Sequence, residues 1–370
     1  MAKTRTAEAL WIESRQRWQI NVQRDGKRRT FVSSTPGRRG KREAETKADE
    51  WLDAGQPDDM RFDVAWGEYV TQVKDNTRTS NYKSLDSIGR TWFLSDEKFC
   101  KKKLSKLTTK DLQTIITSAG KSGLSRRTIK NIRDKFGSFL RYADSRHWEY
   151  SIEMEYIQIP TDAKVEEKKI IQPDKLKILF STDLYIDHGK PTQCFYIHAY
   201  RFLVVTGYRR GELCGFLRED YQKPVLTVNR AINELGEVTA GKNDNARRTN
   251  VLSQHAQKIL EDQEAMLKAR GIISPWLFPA PDGGRLSPTS LYSTWRKGYG
   301  KHHGMDVSLH ELRHTFVTIA KLEMPEALLK DVVGHGASMD TFGVYGHEID
   351  GDKQRAADII DNIFNRILQL

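Results

Sequence analysis

A mainly helical α+β fold is what this 370-residue sequence predicts, and three observations predict it. Near the front, Trp18, Ile20 and Val22 alternate with polar residues up to Asp25-Gly26, and Thr30-Phe31-Val32 resume the extended pattern, as in a hairpin with a two-residue turn. From residue 62 to 150, apolar residues recur at three and four. Between 225 and 253 the pattern turns extended again, with Val225, Leu226, Val228 and Ile232 followed by Gly236, Val238, Gly241, Val251 and Leu252, and helical spacing then resumes to the end.

Element by element, residues 11–32 read as strands and Pro36-Gly37 with Gly40 as a turn. Lys41–Ala54 reads as a helix whose stripe is Ala44, Ala48, Trp51 and Leu52. Gln56-Pro57-Asp58-Asp59 reads as a linker. In the helical stretch that follows, Phe62, Trp66, Tyr69, Val70 and Val73 form one face. A second helix over Leu104–Ala119 has Thr108 or Thr109 placed to cap it. Ser125 caps a third, apolar along Ile129, Ile132, Phe136, Phe139, Leu140 and Ala143 and basic along Arg126, Arg127, Lys130 and Arg133. Thr161–Lys169 reads as a polar linker. A new unit starts at Ile170, with Pro173-Asp174 opening a helix and more helix over about 192–206. The final stripe, Ile359, Ile360, Ile363, Phe364, Ile367 and Leu368, is one apolar helix face.

Length and composition narrow the class. At roughly 150 residues per domain the chain holds two to three domains. Apolar residues are 38% and charged residues 29%, an ordinary balance for a water-soluble fold. No apolar run reaches the roughly 18 residues of a membrane span. The opening Met-Ala-Lys-Thr-Arg-Thr lacks the apolar region of a secretory signal. Cys100, Cys194 and Cys214 are scattered, which excludes a disulfide framework and a cysteine zinc site and fits a reducing cytoplasm. The charge is +11 overall, and residues 1–40 carry +7 of it, with ten basic residues against Glu8, Glu13 and Asp25. Such a balance points to a polyanion, above all nucleic acid. Arg15, Arg17, Arg24, Lys27, Arg28 and Arg29 crowd the hairpin, and Arg126, Arg127 and Lys130 line a helix; both sets are candidate DNA contacts.

Five pieces of the second half carry the candidate chemistry. Thr206-Gly207-Tyr208-Arg209-Arg210-Gly211-Glu212-Leu213 places Arg209 at a helix junction. Gly241-Lys242 falls in a turn between two strands, with Arg247 and Arg248 after it. His310-Glu311-Leu312-Arg313-His314 puts His310 and Arg313 on one helix face. Gly334 before His335 reads as a helix C-cap that turns His335 inward. Tyr345 lies ten residues on, followed by His347. In this order and spacing the chain resembles the tyrosine recombinases, in particular the integrases of phages and conjugative transposons, whose pattern is Arg, Lys, His-x-x-Arg, Gly-His, then Tyr. Every catalytic position of that pattern is filled; Tyr208 departs from it at a packing position where the family has an aliphatic residue.

The resemblance implies three parts. Residues 1–55 would be an arm-type DNA-binding domain, residues 62–160 a helical, SAM-like core-binding domain, and residues 170–370 a mixed α/β catalytic domain. It implies a transesterification in which Tyr345 attacks a DNA phosphodiester and forms a 3′-phosphotyrosine. Arg209 and Arg313 would clamp the phosphate, His310 would serve as base and Lys242 as acid to the leaving 5′-hydroxyl, and His335 would donate to the same phosphate. Glu212 and His347 would support, Glu212 by holding an arginine. No metal and no cofactor are expected. The expected partners are double-stranded DNA at core-type and arm-type attachment sites, a homotetramer on DNA into which the C-terminal helix reaches across to a neighbour, an excisionase and a host DNA-bending protein. The expected setting is the cytoplasm and nucleoid of a bacterial host. A resolvase-type recombinase, a DNA-binding regulator on a recombinase scaffold and a type IB topoisomerase are the competing readings; intact Tyr345 and both arginines oppose the regulator.

Overall fold

The structure is a computed structural model that describes residues 7–24, 27–53, 60–165, 167–239, 247–334 and 351–369. Two compact units divide it, residues 1–166 and 167–370, and the fold is mainly helical with small antiparallel sheets.

The first unit opens on a sheet in the order β1 (Leu10–Ile12), β2 (Arg17–Arg24), β3 (Lys27–Ser33). Arg24 pairs with Lys27, so the connection is two residues long; Asp25-Gly26 themselves lie outside the described residues. Ile20 and Val22 are buried against Ala44 and Ala48 of α1 (Gly37–Asp53), with the Phe31 and Trp51 rings 5.9 Å apart at the edge. The helix starts four residues before the expected Lys41. A Cβ on Gly40 would stand 1.7 Å from the Thr35 carbonyl oxygen, so this glycine belongs to the helix and lets its first turn touch the strand exit. The linker expected at 56–59 lies outside the described residues.

A second apolar core in this unit gathers α2 (Phe62–Asn76), α3 (Thr79–Ile88), α4 (Glu97–Cys100), α5 (Thr109–Lys121) and α6 (Arg126–Ser145). Phe62 is its hub: its ring stacks on Phe136 at 5.7 Å and meets Phe99 and Phe139 edge-on at 5.0 and 5.3 Å. The caps are those the sequence proposes. Thr108 and Asp111 form a reciprocal capping box for α5, and the Ser125 hydroxyl accepts from the Thr128 amide at 3.4 Å. The linker starts later than Thr161, since Ala163 is buried and the Arg126 amide donates to the Lys164 carbonyl at 2.8 Å. One buried alanine among charged neighbours leaves too little periodicity to read.

The second unit runs α7 (Pro173–Ser181), β4 (Leu184–Asp187), β5 (Lys190–Gln193), α8 (Ile197–Thr206), α9 (Arg210–Leu213), β6 (Tyr221–Gln222), β7 (Val225–Val228), β8 (Ala231–Ile232), β9 (Val238–Thr239) and β10 (Arg248–Val251). It continues with α10 (Gln254–Ala269), α11 (Pro288–Thr294), α12 (Gly300–His302), α13 (Leu309–Ala320), α14 (Glu326–Val333) and α15 (Asp352–Leu368). The β4–β5 hairpin occupies part of the stretch expected to be helix from 192. Its turn is His188-Gly189, with φ of 47° and 77°, the pair of positive values that a two-residue hairpin requires. At the centre lies α8, with Phe202, Leu203, Val204 and Val205 fully buried and α10 and α13 packed on it. One sheet has the order β10-β7-β6, and β8 pairs with β9.

The C-terminal stripe, expected to reach into a neighbouring protomer, packs on its own unit. Ile360, Ile363 and Phe364 are buried, and the Phe364 ring meets Phe180 of α7 at 6.1 Å. The Asp361 carboxylate also accepts the Gln254 and His255 amides at 2.7 and 3.0 Å, satisfying the first turn of α10. Among the described residues no helix is long and apolar enough to cross a membrane.

Two glycine substitutions are expected to act with opposite sign. Gly67 is exposed in mid-helix, and a Cβ there would have nothing within 4 Å, so Gly67→Ala raises stability by about 0.5–1 kcal/mol. Gly40→Ala forces the methyl into the Thr35 carbonyl and lowers stability by about 1–3 kcal/mol. Thermal or urea unfolding of the two variants measures both, and equal shifts would contradict the assigned packing.

Candidate active site

The site grows from the turn that ends α8. Gly207 adopts φ 66°, and a Cβ there would lie 2.3 Å from the Phe316 ring, so α13 can reach this turn only over glycine. The reach is used by Arg313 of α13, whose Nη1 donates to the Gly207 carbonyl at 2.8 Å. Arg313 is 3% exposed, and its Nη2 has no hydrogen-bond partner among the described residues. Burial, then the neighbouring Arg209, pulls it down to about 9, so it stays charged at neutral pH.

Arg209 precedes α9 in extended conformation, and Glu212 reaches back to it. The Glu212 carboxylate accepts the Arg209 amide at 3.0 Å and its Nη1 at 2.7 Å. Glu212 is 2% exposed and holds a second cation as well, since Arg248 of β10 donates Nη2 at 2.9 Å and Nη1 at 3.2 Å. Burial by itself would raise this carboxyl, but the hydrogen bonds and charge of Arg248, then Arg209, hold it below the usual carboxylate range.

The same two arginines grip the end of α14. Arg248 Nε donates to the Val332 carbonyl at 2.9 Å and Arg209 Nη2 to the Gly334 carbonyl at 3.0 Å. Asn250, two residues along β10, donates to Val332 at 3.0 Å and to the Tyr208 hydroxyl at 3.1 Å. Terminal helix carbonyls are orphaned and partly negative, so cations are their natural partners. Gly334 adopts φ 62° and caps α14, as its place before His335 suggested. Tyr208 is fully buried, with the Arg248 guanidinium 4.9 Å from its ring centroid. The departure from an aliphatic residue thus adds a hydroxyl and a ring face, and both are used.

His310 stands on α13, whose start is closed by a capping box of Ser308 and Glu311. Its ring meets His314 edge-on at 4.7 Å. Partial burial, then His314, Arg313, Lys168 and Arg209, lower it to about 4, which leaves the imidazole neutral at physiological pH.

Of the residues singled out by sequence, the structure brings together Arg209, Glu212, His310 and Arg313. Lys242, His335, Tyr345 and His347 lie outside the described residues; the described chain resumes five residues after Lys242 and stops one residue before His335. The hairpin cations divide. Strand alternation puts Arg17 and Arg28 on the face of Gln19, Asn21 and Gln23, and Arg29 on the face of Val22, its guanidinium 5.5 Å from the Phe31 ring centroid. Arg15, Arg28 and Arg29 are exposed, whereas Arg17 is half-buried and donates to Gln19 at 3.1 Å. The side chains of Arg24 and Lys27 lie outside the described residues. Arg126, Arg127 and Lys130 are exposed on the first turns of α6. Sequence reading passed over Arg248 and Asn250 as side chains of the site. Their signal is the period-two spacing on a strand, but charge alone does not say which of Arg247-Arg248 turns inward.

Comparison with known proteins bears on the family and the fold. Residues 169–351 match the phage integrase family. The chain is 25% identical over 243 residues to tyrosine recombinase XerA of Pyrococcus horikoshii, covering 64% of this chain and 75% of the relative. It is 21% identical over 365 residues to a XerC-like tyrosine recombinase of Caldanaerobacter subterraneus, covering 88% of this chain and 90% of the relative. Its fold is similar to that of the Tn1549 transposon integrase in complex with a circular intermediate DNA, with a TM-score of 0.62, 16% identity and coverage of 81% and 99% of the two chains. A lambda integrase dimer bound to a core site is similar over 94% of this chain and 98% of that one, with a TM-score of 0.59 and 16% identity.

The depressed His310 value makes a direct expectation. The unfolded chain binds this proton near 6.5 and the folded chain near 4, so this group's contribution to stability is present above pH 6.5 and is lost as pH falls through 4. The His310 ring resonance, followed by NMR on histidine-labelled protein, should hold its neutral position from pH 8 down to about 5. A midpoint at 6 or above would contradict the cationic surroundings described.

Proposed function

We propose, given that this chain belongs to the phage integrase family of tyrosine recombinases, that it is a site-specific integrase that cuts and rejoins DNA through a 3′-phosphotyrosine. The observation that carries the reading is Arg313. Arg313 is 3% exposed, one of its nitrogens has no partner among the described residues and a second arginine stands beside it, which is a costly arrangement unless an anion completes it. A DNA phosphate has the charge and the planar pair of oxygens that two guanidiniums can fork.

Tyr345 attacks phosphorus, the bond from phosphorus to the 5′-oxygen breaks, and a phosphotyrosyl ester replaces it. A free phenol has a pKa near 10, so about one in a thousand is ionised at pH 7. Neutral His310 takes the phenolic proton. Lys242 gives a proton to the departing 5′-oxygen, a role that typically contributes about 10²–10⁴ in rate. Arg209 and Arg313 neutralise the pentavalent phosphate, each charge-assisted bond contributing about 1.5–3 kcal/mol, and His335 donates to the same oxygens. Glu212 keeps Arg209 aimed, and His347 supports the nucleophile. The ester keeps the energy of the broken bond, so rejoining proceeds without ATP, and two guanidiniums supply the charge that a metal would.

Residues 1–55 act as the arm-type DNA-binding domain, with the polar sheet face of Arg17 and Arg28 toward DNA. Residues 62–160 bind the core site through the α6 face of Arg126, Arg127 and Lys130, and residues 170–370 catalyse. Four copies assemble on two core sites, with an excisionase and a host DNA-bending protein setting direction, in a bacterial cytoplasm. The second reading on the same chemistry is a resolvase-type tyrosine recombinase; the similarity to tyrosine recombinase XerA covers 64% of this chain.

Covalent trapping tests the chemistry. Wild type on a nicked duplex carrying the element's end junction should give a protein–DNA adduct on a denaturing gel, and Tyr345→Phe should give none. Binding without an adduct from wild type would return the chain to a regulatory role. Deleting residues 1–55 should abolish arm-site binding and spare core-site cleavage; loss of both would remove the assigned division, and loss of neither would favour the resolvase.

A further inference from the structure

Glu212 closes a ring of hydrogen bonds that the chemistry above does not by itself require. From Glu212 one arm runs through Arg209 to the Gly334 carbonyl, and the other runs through Arg248 to the Val332 carbonyl. The ring joins three chain segments that are distant in sequence: the turn before α9, strand β10 and the end of α14. Each segment leads to a different member of the proposed site. The first carries Arg209, the second follows the Lys242 turn by six residues, and the third stops at Gly334, one residue before His335.

Arg248 is the member whose side chain makes the cross-tie. It forks Glu212 with two nitrogens and uses the third for Val332, so all three guanidinium nitrogens are committed. Its side chain is 8% exposed, and the guanidinium lies over the Tyr208 ring, 4.9 Å from its centroid. Little of it remains open to a ligand. Arg209 differs, with 26% of its side chain exposed, and one nitrogen of Arg313 has no partner among the described residues.

We infer that Arg248 is a positioning residue, which acts through the shared carboxylate of Glu212 to aim the Arg209 guanidinium and to fix the end of α14 that enters His335. The inference rests on the phosphate-clamp reading of Arg209. Lysine cannot replace Arg248, since an ammonium offers no planar fork to span both carboxylate oxygens while a third donor holds Val332. Without Arg248, Glu212 is free to rotate about its remaining partner, and the α14 carbonyl loses a charged donor. The clamp then forms with a poorer approach to the phosphate while the DNA-binding surfaces elsewhere are unchanged.

The experiment is single-turnover cleavage of the nicked junction duplex at saturating DNA by full-length Arg248→Gln, with wild type, Arg209→Ala and Glu212→Gln alongside. Arg248→Gln should lower the cleavage rate by about tenfold to a hundredfold, the usual loss when a supporting residue is removed, and leave DNA affinity within about threefold. Where Arg248→Gln does not fold, Arg248→Lys replaces it, keeping a cation on Glu212 while losing the fork. The deciding readout is a duplex whose scissile phosphate is a neutral methylphosphonate, which lacks the charge that Arg209 answers. It should shrink the rate defects of Arg209→Ala and of the Arg248 variant together. The Glu212→Gln background should remove most of the further effect of Arg248 substitution. Relief of Arg209→Ala without relief of the Arg248 variant overturns the positioning role. Absence of relief for Arg209→Ala overturns the clamp reading itself, whatever Arg248 does. Equal loss of cleavage and DNA affinity in the Arg248 variant would assign it to folding alone.

Discussion

The second unit depends on one buried carboxylate. Glu212 is sealed from solvent and accepts four hydrogen bonds, one from a backbone amide and three from two guanidiniums. A carboxylate in such a place is costly alone, and so are the two arginines. Together they are satisfied, and the geometry of the fork fixes where each lies. Because its partners come from the turn before α9 and from β10, and both reach on to α14, a short-range electrostatic constraint sets a long-range arrangement. Breaking it from any side leaves a buried charge without its partner, which typically costs about 3–5 kcal/mol.

The ring also leaves the site short of negative charge. Glu212 is the single carboxylate hydrogen-bonded to Arg209 and Arg248 among the described residues, and Arg313 stands beside them with a donor unmet. Folding tolerates this because the two paired arginines are well bonded and Arg313 has the Gly207 carbonyl. On the proposed clamp reading, the surplus is a preformed attraction for an anion, organised before any ligand arrives, so little reorganisation would remain for the reaction step. His310 lies in the same surroundings: burial first, then His314, Arg313, Lys168 and Arg209, keep its imidazole neutral.

Much of this was legible in the sequence, and the reasons are local. Ser125 and Thr108 cap because short-range hydroxyl geometry dictates it, and Gly207 and Gly334 end helices because left-handed backbone favours glycine. The apolar face of α6 is buried residue for residue as its spacing implies. Arg209, Glu212, His310 and Arg313 are singled out by spacing and by resemblance, and the fold brings them together. What escaped depends on contacts made far along the chain. Gly40 looks like a turn residue until the Thr35 carbonyl is placed against it. Arg248 looks like half of a solvated basic pair until Glu212, thirty-six residues earlier, is brought beneath it. The β4–β5 hairpin has a readable His-Gly turn, but its strands are four residues each and too short for alternation to outweigh the helix that follows.

The tail helix shows that a pattern can demand cover without naming its source. The stripe of Ile360, Ile363 and Phe364 says that α15 must be covered, and periodicity carries no label for the chain that covers it. Here the cover is its own unit, and the polar contacts are as specific as the apolar ones: Asp361 supplies acceptors to the first amides of α10, and Asn365 meets the His255 ring at 2.9 Å. Those groups would be left unmet by a merely hydrophobic surface.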